Sequence, residues 1–317
     1  MKIIDILKNE KKTLFTFEIL PPLKGGNFDE IQRTIEPLLE FAPSYINVTS
    51  HRSDIAYRTK SNGEIERYTT KKRPGSVGVA AAVKFKYNIE VVPHIICAGF
   101  TCDETEDALI DYNYLEMHNL LVLRGDKMKS DPVFVAERGG HSHAIDLLKQ
   151  IKNMNNGIYL NSEIGNATHT NFSCGVAGYP EKHIDAKDDE QDILYLKEKV
   201  DAGADYIVTQ MFFDNSKYFE FVNKCRKAGI TVPIIPGVKP IATMSQVDIL
   251  PQLFSLSLPK ELESELRKCK TNSEAKNVGT EWLTAQALEL KKANVPAIHI
   301  YTFGIPDNVT KVCKAVF

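Results

Sequence analysis

The chain has 317 residues, enough for one large α/β barrel or two average domains. Hydrophobic residues make up 43% and charged residues 25%, an ordinary globular balance, and a formal net charge of −2 argues against nucleic-acid or anionic-membrane partners. No run approaches the roughly 18 apolar residues of a membrane-spanning helix, and six scattered cysteines, none in a Cys-x-x-Cys pair, read as reduced thiols of a cytoplasmic protein, not as a disulfide framework or metal site.

The N-terminus, Met1-Lys-Ile-Ile-Asp-Ile-Leu-Lys8, is short and amphipathic and lacks a signal-peptide cleavage pattern. Beyond it, buried β-type runs alternate with segments of helical period, the signature of βα units around a parallel sheet. Strands are predicted at 13–19, 45–49, 90–96, 119–123, 173–178, 205–209, 233–237 and 297–301. Helices are predicted at 28–41, 105–117, 141–153, 189–202, 216–228 and 273–293. Eight strands with a helix between most pairs suit a (β/α)8 TIM barrel, and no low-complexity linker or short repeat divides the chain, so a single domain over 1–317 is expected. Two excursions interrupt the alternation. The stretch 50–78 carries Ser61-Asn-Gly-Glu64 between β-prone flanks and reads as a hairpin; its Lys71-Lys-Arg73 cluster reads as a solvated face or a phosphate site. The stretch 155–172 is rich in Asn and Thr and reads as a lid or an inert insertion.

Polar residues stand just past the hydrophobic runs. In a parallel barrel all strand C-termini converge on one mouth, where barrel enzymes keep their chemistry. Glu18 follows the first strand and precedes Pro21-Pro22. Desolvation there suits it to give a proton, and a helix cap or salt-bridged edge residue is the plainer reading. Thr49 and His94 end the next two strands. Arg124-Gly-Asp126 either brings backbone and charge against a planar ligand or forms a tight turn with an internal ion pair. Tyr179 and His183 stack on a cofactor or serve the fold; Asp192, Tyr195 and Lys199 share a helix stripe, most simply a solvated one. Gln210 offers an amide to a heterocycle or braces the rim. There is no Walker loop, no Gly-x-Ser-x-Gly elbow and no Gly-x-Gly-x-x-Gly after the first strand, and His141-Ser-His143 lacks partners at metal-ligand spacing.

Taken together, these segments resemble the methylenetetrahydrofolate reductase family. The matching pieces are Phe15-Thr-Phe-Glu18-Ile-Leu-Pro-Pro22, Asn47-Val-Thr49, Pro93-His94, Leu123-Arg-Gly-Asp126, Gly178-Tyr-Pro-Glu-Lys-His183, Lys199-Val-Asp-Ala-Gly-Ala-Asp205, Thr209-Gln-Met-Phe-Phe-Asp214, Ile234-Ile-Pro-Gly237 and His299-Ile-Tyr-Thr302. They fall in family order across almost the whole chain. The resemblance implies a (β/α)8 barrel that binds FAD at its mouth and reduces methylenetetrahydrofolate by two hydride transfers from NADH or NADPH. It places Glu18 on the general acid and Asp126 on a carboxylate beside flavin and folate. Thr49, His94, Arg124, Gly125, Asp126, Ala144, Tyr179, His183, Ala186, Asp192 and Lys199 fall on flavin-contacting positions. Gln210 and Gln246 fall on substrate-handling positions, with no metal. It also implies a homo-oligomer with no nucleic-acid or membrane partner. The chain ends soon after the last predicted strand, which leans towards NADH as donor.

The chain departs from the family pattern in places. Phe303-Gly-Ile305 stands where Leu-Asn-Arg usually follows Tyr301-Thr302, and that arginine helps hold folate. Leu250 replaces a frequent aromatic, and Tyr195 and Glu198 replace polar or basic flavin contacts. The missing arginine keeps open a non-catalytic folate- or flavin-binding barrel. A flavin-free lyase or aldolase is the other alternative, and it would want a strand-end Schiff-base lysine or a metal cluster.

Overall fold

The computed structural model describes residues 1–128, 131–302, 304 and 306–317. Positions 303 and 305, which carry the departure from Leu-Asn-Arg, lie outside the described residues. Nine short parallel strands form a barrel in the order β10-β11-β1-β2-β5-β6-β7-β8-β9. They are β1 (Leu14–Ile19), β2 (Tyr45–Val48), β5 (Val91–Ile96), β6 (Asn119–Leu123), β7 (Ser173–Gly178), β8 (Tyr206–Thr209), β9 (Ile234–Ile235), β10 (Gly237–Val238) and β11 (Ala297–Tyr301). β9 and β10 are halves of one stave. Pro236 stands between them and has no N–H to give a neighbour, so β9 bonds β8 while β10 bonds β11. The strand predicted at 233–237 is therefore broken, and the barrel has the eight staves of the (β/α)8 fold.

Each strand alternates. On β1, Phe15, Phe17 and Ile19 pack against the helices, while Leu14 joins Tyr45, Val92, Leu121, Tyr206, Val208, Ile235 and Ala297 inside the barrel. The same inward face carries Thr16 and then Glu18 towards the mouth. Helix α1 (Ile3–Asn9) closes the floor: Ile3 and Leu7 join the interior cluster, and the Ile3 amide donates to Asn119 Oδ1 at 2.8 Å. The barrel is thus apolar below and polar above.

Outside the barrel lie α2 (Phe28–Ile35), α3 (Ser76–Tyr87), α4 (Cys102–Tyr114), α5 (Ala144–Asn155), α6 (Asp189–Asp201), α7 (Asn215–Lys227), α8 (Gln246–Phe254), α9 (Lys260–Lys268), α10 (Asn272–Lys292) and α11 (Pro306–Val316). The helix predicted at 28–41 stops at Ile35 and continues as a 3-10 turn over Glu36–Phe41, since Pro37 cannot sustain the α ladder. The first excursion is a hairpin of β3 (Asp54–Thr59) and β4 (Ile65–Thr70), paired antiparallel from Asp54↔Thr70 to Thr59↔Ile65, and α3 begins before its predicted end. The second has no strand or helix. Asn155 fastens its base, donating to the Phe172 carbonyl at 2.9 Å while its Oδ1 accepts from the Phe172 amide and the Thr170 hydroxyl, each at 2.8 Å. All six cysteines carry free thiols, and among the described residues no helix is long and apolar enough to cross a membrane.

Candidate active site

The mouth holds two groups of polar side chains. The first surrounds Glu18, whose side chain is 12% exposed at the end of β1. His94 Nε2 on β5 lies 3.8 Å from its Oε2, and His299 Nε2 on β11 lies 3.9 Å away. Burial drives the His94 imidazole down to about 4, overriding the attraction of Glu18. At neutral pH this contact is therefore no ion pair. The protonation of His299 Nδ1 follows from its neighbours. Thr16 Oγ1 donates to the Tyr45 carbonyl at 3.0 Å, so at 3.4 Å it can only accept from His299 Nδ1. Nδ1 thus carries a hydrogen, and Nε2, which faces Glu18, has no hydrogen-bond partner. Asn47 on β2 supports the other ring, with Nδ2 3.4 Å from His94 Nε2.

Two further groups join this layer. Tyr301, the β-ladder partner of Glu18, donates to the Thr209 carbonyl at 2.6 Å. It passes directly over Gly237, where a Cβ would lie 2.2 Å from that carbonyl and 2.7 Å from the ring. Burial and the Glu18 charge hold the Tyr301 phenol well above its usual range. His51, in the loop after β2, feels both Glu18 and Asp126, although burial and Arg73 lower its affinity for a proton. Thr49 is tied to the end of β1, its hydroxyl donating to the Ile19 carbonyl at 3.3 Å.

The second group lies at the ends of β6 and β7. Gly125 has φ +81°, and a Cβ there would meet the Ala98 Cβ at 2.8 Å, so glycine is required by the chain's own packing. The turn does not pair its own flanking charges. Arg124 Nη1 instead bridges Asp185 Oδ2 at 2.7 Å and its guanidinium covers the Phe134 ring, while Asp126 is exposed. Tyr179 and His183 meet edge to face at 4.6 Å. The His183 amide donates to Asp192 at 3.0 Å, and its carbonyl accepts from the buried Ala186 amide at 3.0 Å. Lys199 donates to the Ala177 carbonyl at 3.0 Å, and burial pulls its ammonium down to about 8 against the pull of Asp192. The α6 stripe is therefore not one solvated face: Asp192 and Lys199 turn inward, while Tyr195 is 48% exposed. Glu198 is exposed as well.

The remaining predicted residues are placed more loosely. Gln210, past β8, folds its Oε1 back onto the Met211 amide at 2.9 Å. Gln246 opens α8, its Oε1 accepting from the Ala242 amide at 2.7 Å, and Leu250 is buried with Met211, Phe213 and Val247. Ala144 starts α5. The basic cluster divides: Lys72 pairs with Asp54 on the hairpin, Lys71 lies over the Phe100 ring, and Arg73 is half-buried, donating to the Pro21 carbonyl. A cavity of about 270 Å³ lies beside this strap, lined by His51, Arg73, Ser76, His94, Phe100 and Asp107. It touches the acid group through the two histidines but does not include Glu18.

Five members of the mouth carried no role in the sequence: Asn47, His51, Lys239, His299 and Tyr301. Period-two alternation on the last strand is the signal that pairs His299 with Tyr301. For Lys239 the signal is a charge one residue past a buried strand.

A family model described as methylenetetrahydrofolate reductase matches residues 2–316. Methylenetetrahydrofolate reductase (NADH) 1 of Arabidopsis thaliana is 28% identical over 318 residues, covering 96% of this chain and 49% of the plant protein. The 5,10-methylenetetrahydrofolate reductase of Escherichia coli is 27% identical over 304 residues, covering 95% of this chain and 90% of that one. The chain thus spans about half the length of its plant relatives and most of the bacterial one. Among solved structures, a Clostridium thermocellum protein described as binding two copies of 5-methyl-5,6,7,8-tetrahydrofolic acid superposes with TM-score 0.57 at 14% identity, covering 98% of this chain and 97% of its own. That likeness speaks for the fold.

Proposed function

The chain belongs to the methylenetetrahydrofolate reductase family, and from that premise we propose that it reduces 5,10-methylenetetrahydrofolate to 5-methyltetrahydrofolate with FAD as cofactor and NADH or NADPH as donor. The observation that carries the reading is the pairing of a largely enclosed acid, Glu18, with a cationic and aromatic cradle across the same mouth. The cradle fits a planar heterocycle joined to a pyrophosphate. Lys199 is a cation held at a cost in burial that an anion beside it would relieve, and Arg124, paired with Asp185, is a second cation in the same group. Tyr179, His183, Ala186 and Asp192 would flank the same group, with Ala144 behind it and Thr49, His94 and Gly125 towards the barrel axis. When bound, FAD supplies the hydride chemistry, taking hydride from the nicotinamide and later giving it to the folate in ping-pong order.

The chain's own task is the proton. The five-membered ring of the substrate must open before its carbon can accept hydride, and the departing nitrogen must be protonated. Glu18 gives that proton. Burial keeps its neighbour His94 neutral at pH 7, so no imidazolium at that position stabilises the carboxylate and strips the acid of its proton beforehand. Asp126, exposed at the end of β6, places a negative charge where the opened, cationic substrate is stabilised. Gln210 and Gln246 orient the substrate by amide hydrogen bonds.

The test is the visible spectrum of the purified protein before and after anaerobic NADH, followed by methylenetetrahydrofolate. Flavin bands that NADH bleaches and the folate restores support the reading. Bands that neither NADH nor NADPH bleaches remove the nicotinamide donor. A protein that takes up no flavin on reconstitution with FAD overturns it.

A further inference from the structure

We propose that Lys239 is a positioning residue of this reaction, a buried counter-charge for the carboxylate that Glu18 becomes once it has given up its proton. The proposal rests on the reading of Glu18 as the acid. Its basis is strand register. β10 pairs with β11 through Gly237↔His299 and Val238↔Ile300, and β11 pairs with β1 through Tyr301↔Glu18. One residue past Val238, Lys239 stands level with Tyr301, so three neighbouring staves place Lys239, Tyr301 and Glu18 in one layer. Val238 packs outward against the helices, which turns the next residue inward. Lys239 is only 4% exposed, and its ammonium donates to the Pro240 carbonyl at 3.2 Å.

The titratable groups facing this layer are Glu18 on β1, His94 on β5, His299 and Tyr301 on β11, and His51 after β2. His94 is neutral at pH 7, and the Tyr301 phenol keeps its proton. Burial pulls Lys239 down to about 8, and Glu18 is the group whose charge works the other way. Lys239 and Glu18 are thus the cation and the acid of one desolvated layer. When the proton passes from Glu18 to the departing nitrogen, the electron pair of the breaking C–N bond goes to that nitrogen and a carboxylate is left behind. A lone carboxylate in such surroundings is costly, and a cation in the same layer offsets much of that cost. Lys239 keeps its own hydrogens throughout, and solvent at the mouth returns a proton to Glu18.

A role in stability alone fits poorly. A lysine whose proton affinity is lowered by folding costs stability below its folded value, because the charged form must be kept buried there. Lys239→Met is therefore expected to leave the Tm at pH 7 unchanged or raised.

The test uses the full chain with Lys239→Met, Lys239→Arg and Glu18→Gln. In carbon-13-lysine-labelled protein without flavin, the Lys239 resonance, identified by its loss in Lys239→Met, should titrate near pH 8, and lower in Glu18→Gln. An unchanged titration in Glu18→Gln overturns the proposal whether or not the protein reduces folate. In flavin-loaded protein, Lys239→Met should slow the folate step about tenfold at pH 7, the equivalent of one pKa unit, with the NADH step unchanged. Lys239→Arg should restore the rate and hold it above pH 8, where the parent falls. A folate step at the parent rate in Lys239→Met, or both steps slowed together with a lowered Tm, overturns the proposal. A parent protein that oxidises NADH but ignores methylenetetrahydrofolate would overturn the assigned function, and this role with it, while leaving the Lys239–Glu18 coupling measured.

Discussion

Glu18 and His94 face each other across 3.8 Å without forming an ion pair. Two unit charges at that distance would attract by about 4 kcal/mol at an effective dielectric of 20, yet burial of the imidazole outweighs that attraction and holds it down to about 4. The carboxyl therefore keeps a neutral neighbour at the pH where the protein would work. His299, its Nδ1 bound to Thr16, faces the same carboxyl from β11 at 3.9 Å.

Glu18→Gln is expected to retain flavin and its reduction by NADH while folate reduction falls by about 10²- to 10⁴-fold, the usual share of a general acid. Stopped-flow spectra of the two half-reactions measure this separately. Folate reduction at the parent rate would remove Glu18 from the role.

His94 also makes the fold sensitive to acid. Its folded-state affinity for a proton lies below that of the unfolded chain, so its contribution is complete above pH 6.5 and is lost as pH falls towards about 4. The loss amounts to at most about 3 kcal/mol from this group. Urea midpoints measured from pH 7 to pH 4 should fall, and His94→Leu should flatten the curve. The same slope in parent and variant would assign the acid lability elsewhere.

Lys199 is held near Asp192 in a site that burial makes expensive for a cation. Lys199→Met is expected to weaken FAD binding about tenfold or more, the worth of a charge-assisted hydrogen bond. Because its ammonium titrates near 8, parent affinity should also decline as pH rises through that value. Flavin fluorescence titrations of the apoprotein measure both; equal affinity in parent and variant would place the cofactor's phosphates away from α6.

Gly125→Ala combines a backbone at φ +81° with a methyl group set 2.8 Å from the Ala98 Cβ. A destabilisation of about 1–3 kcal/mol is expected from the strain alone, with Arg124 and Asp126 displaced from the mouth. Chemical denaturation read beside flavin content tests it, and a variant of unchanged stability would show that the β5 and β6 ends yield easily.

The barrel itself was legible because its strands are short, buried and bounded by polar residues. Most strand limits read from the sequence lie within a residue of those in the structure, and the stave that differs is the one Pro236 interrupts. Helices α3, α8, α9 and α11 were missed. α8 and α9 are only nine residues each and α8 carries Pro251, while α3, rich in Val and Ala, has no polar stripe to mark its period. The candidate residues at strand ends were legible for the same geometric reason as the barrel. What escaped was partnership. Nothing in the turn at Gly125 shows that Arg124 will reach Asp185 instead of Asp126, since that bond joins two loops brought together only by neighbouring strands. Nor does the α6 stripe show that Asp192 and Lys199 turn inward while Tyr195 does not. Burial of single side chains on a helix rim depends on what the preceding loop covers.

Helix α1, pinned to Asn119 and seated on Leu14, Tyr45 and Ala297, gives the barrel a stopper. That end of the barrel is shut and filled by side chains. Any molecule that reaches Glu18 enters and departs by the same doorway, so an occupant of that doorway stands in the path of its successor. Under the proposed reaction two substrates use that opening in turn, so traffic through it would set an upper bound on how quickly they alternate, and the β3–β4 arm and the strap at Arg73 stand beside it.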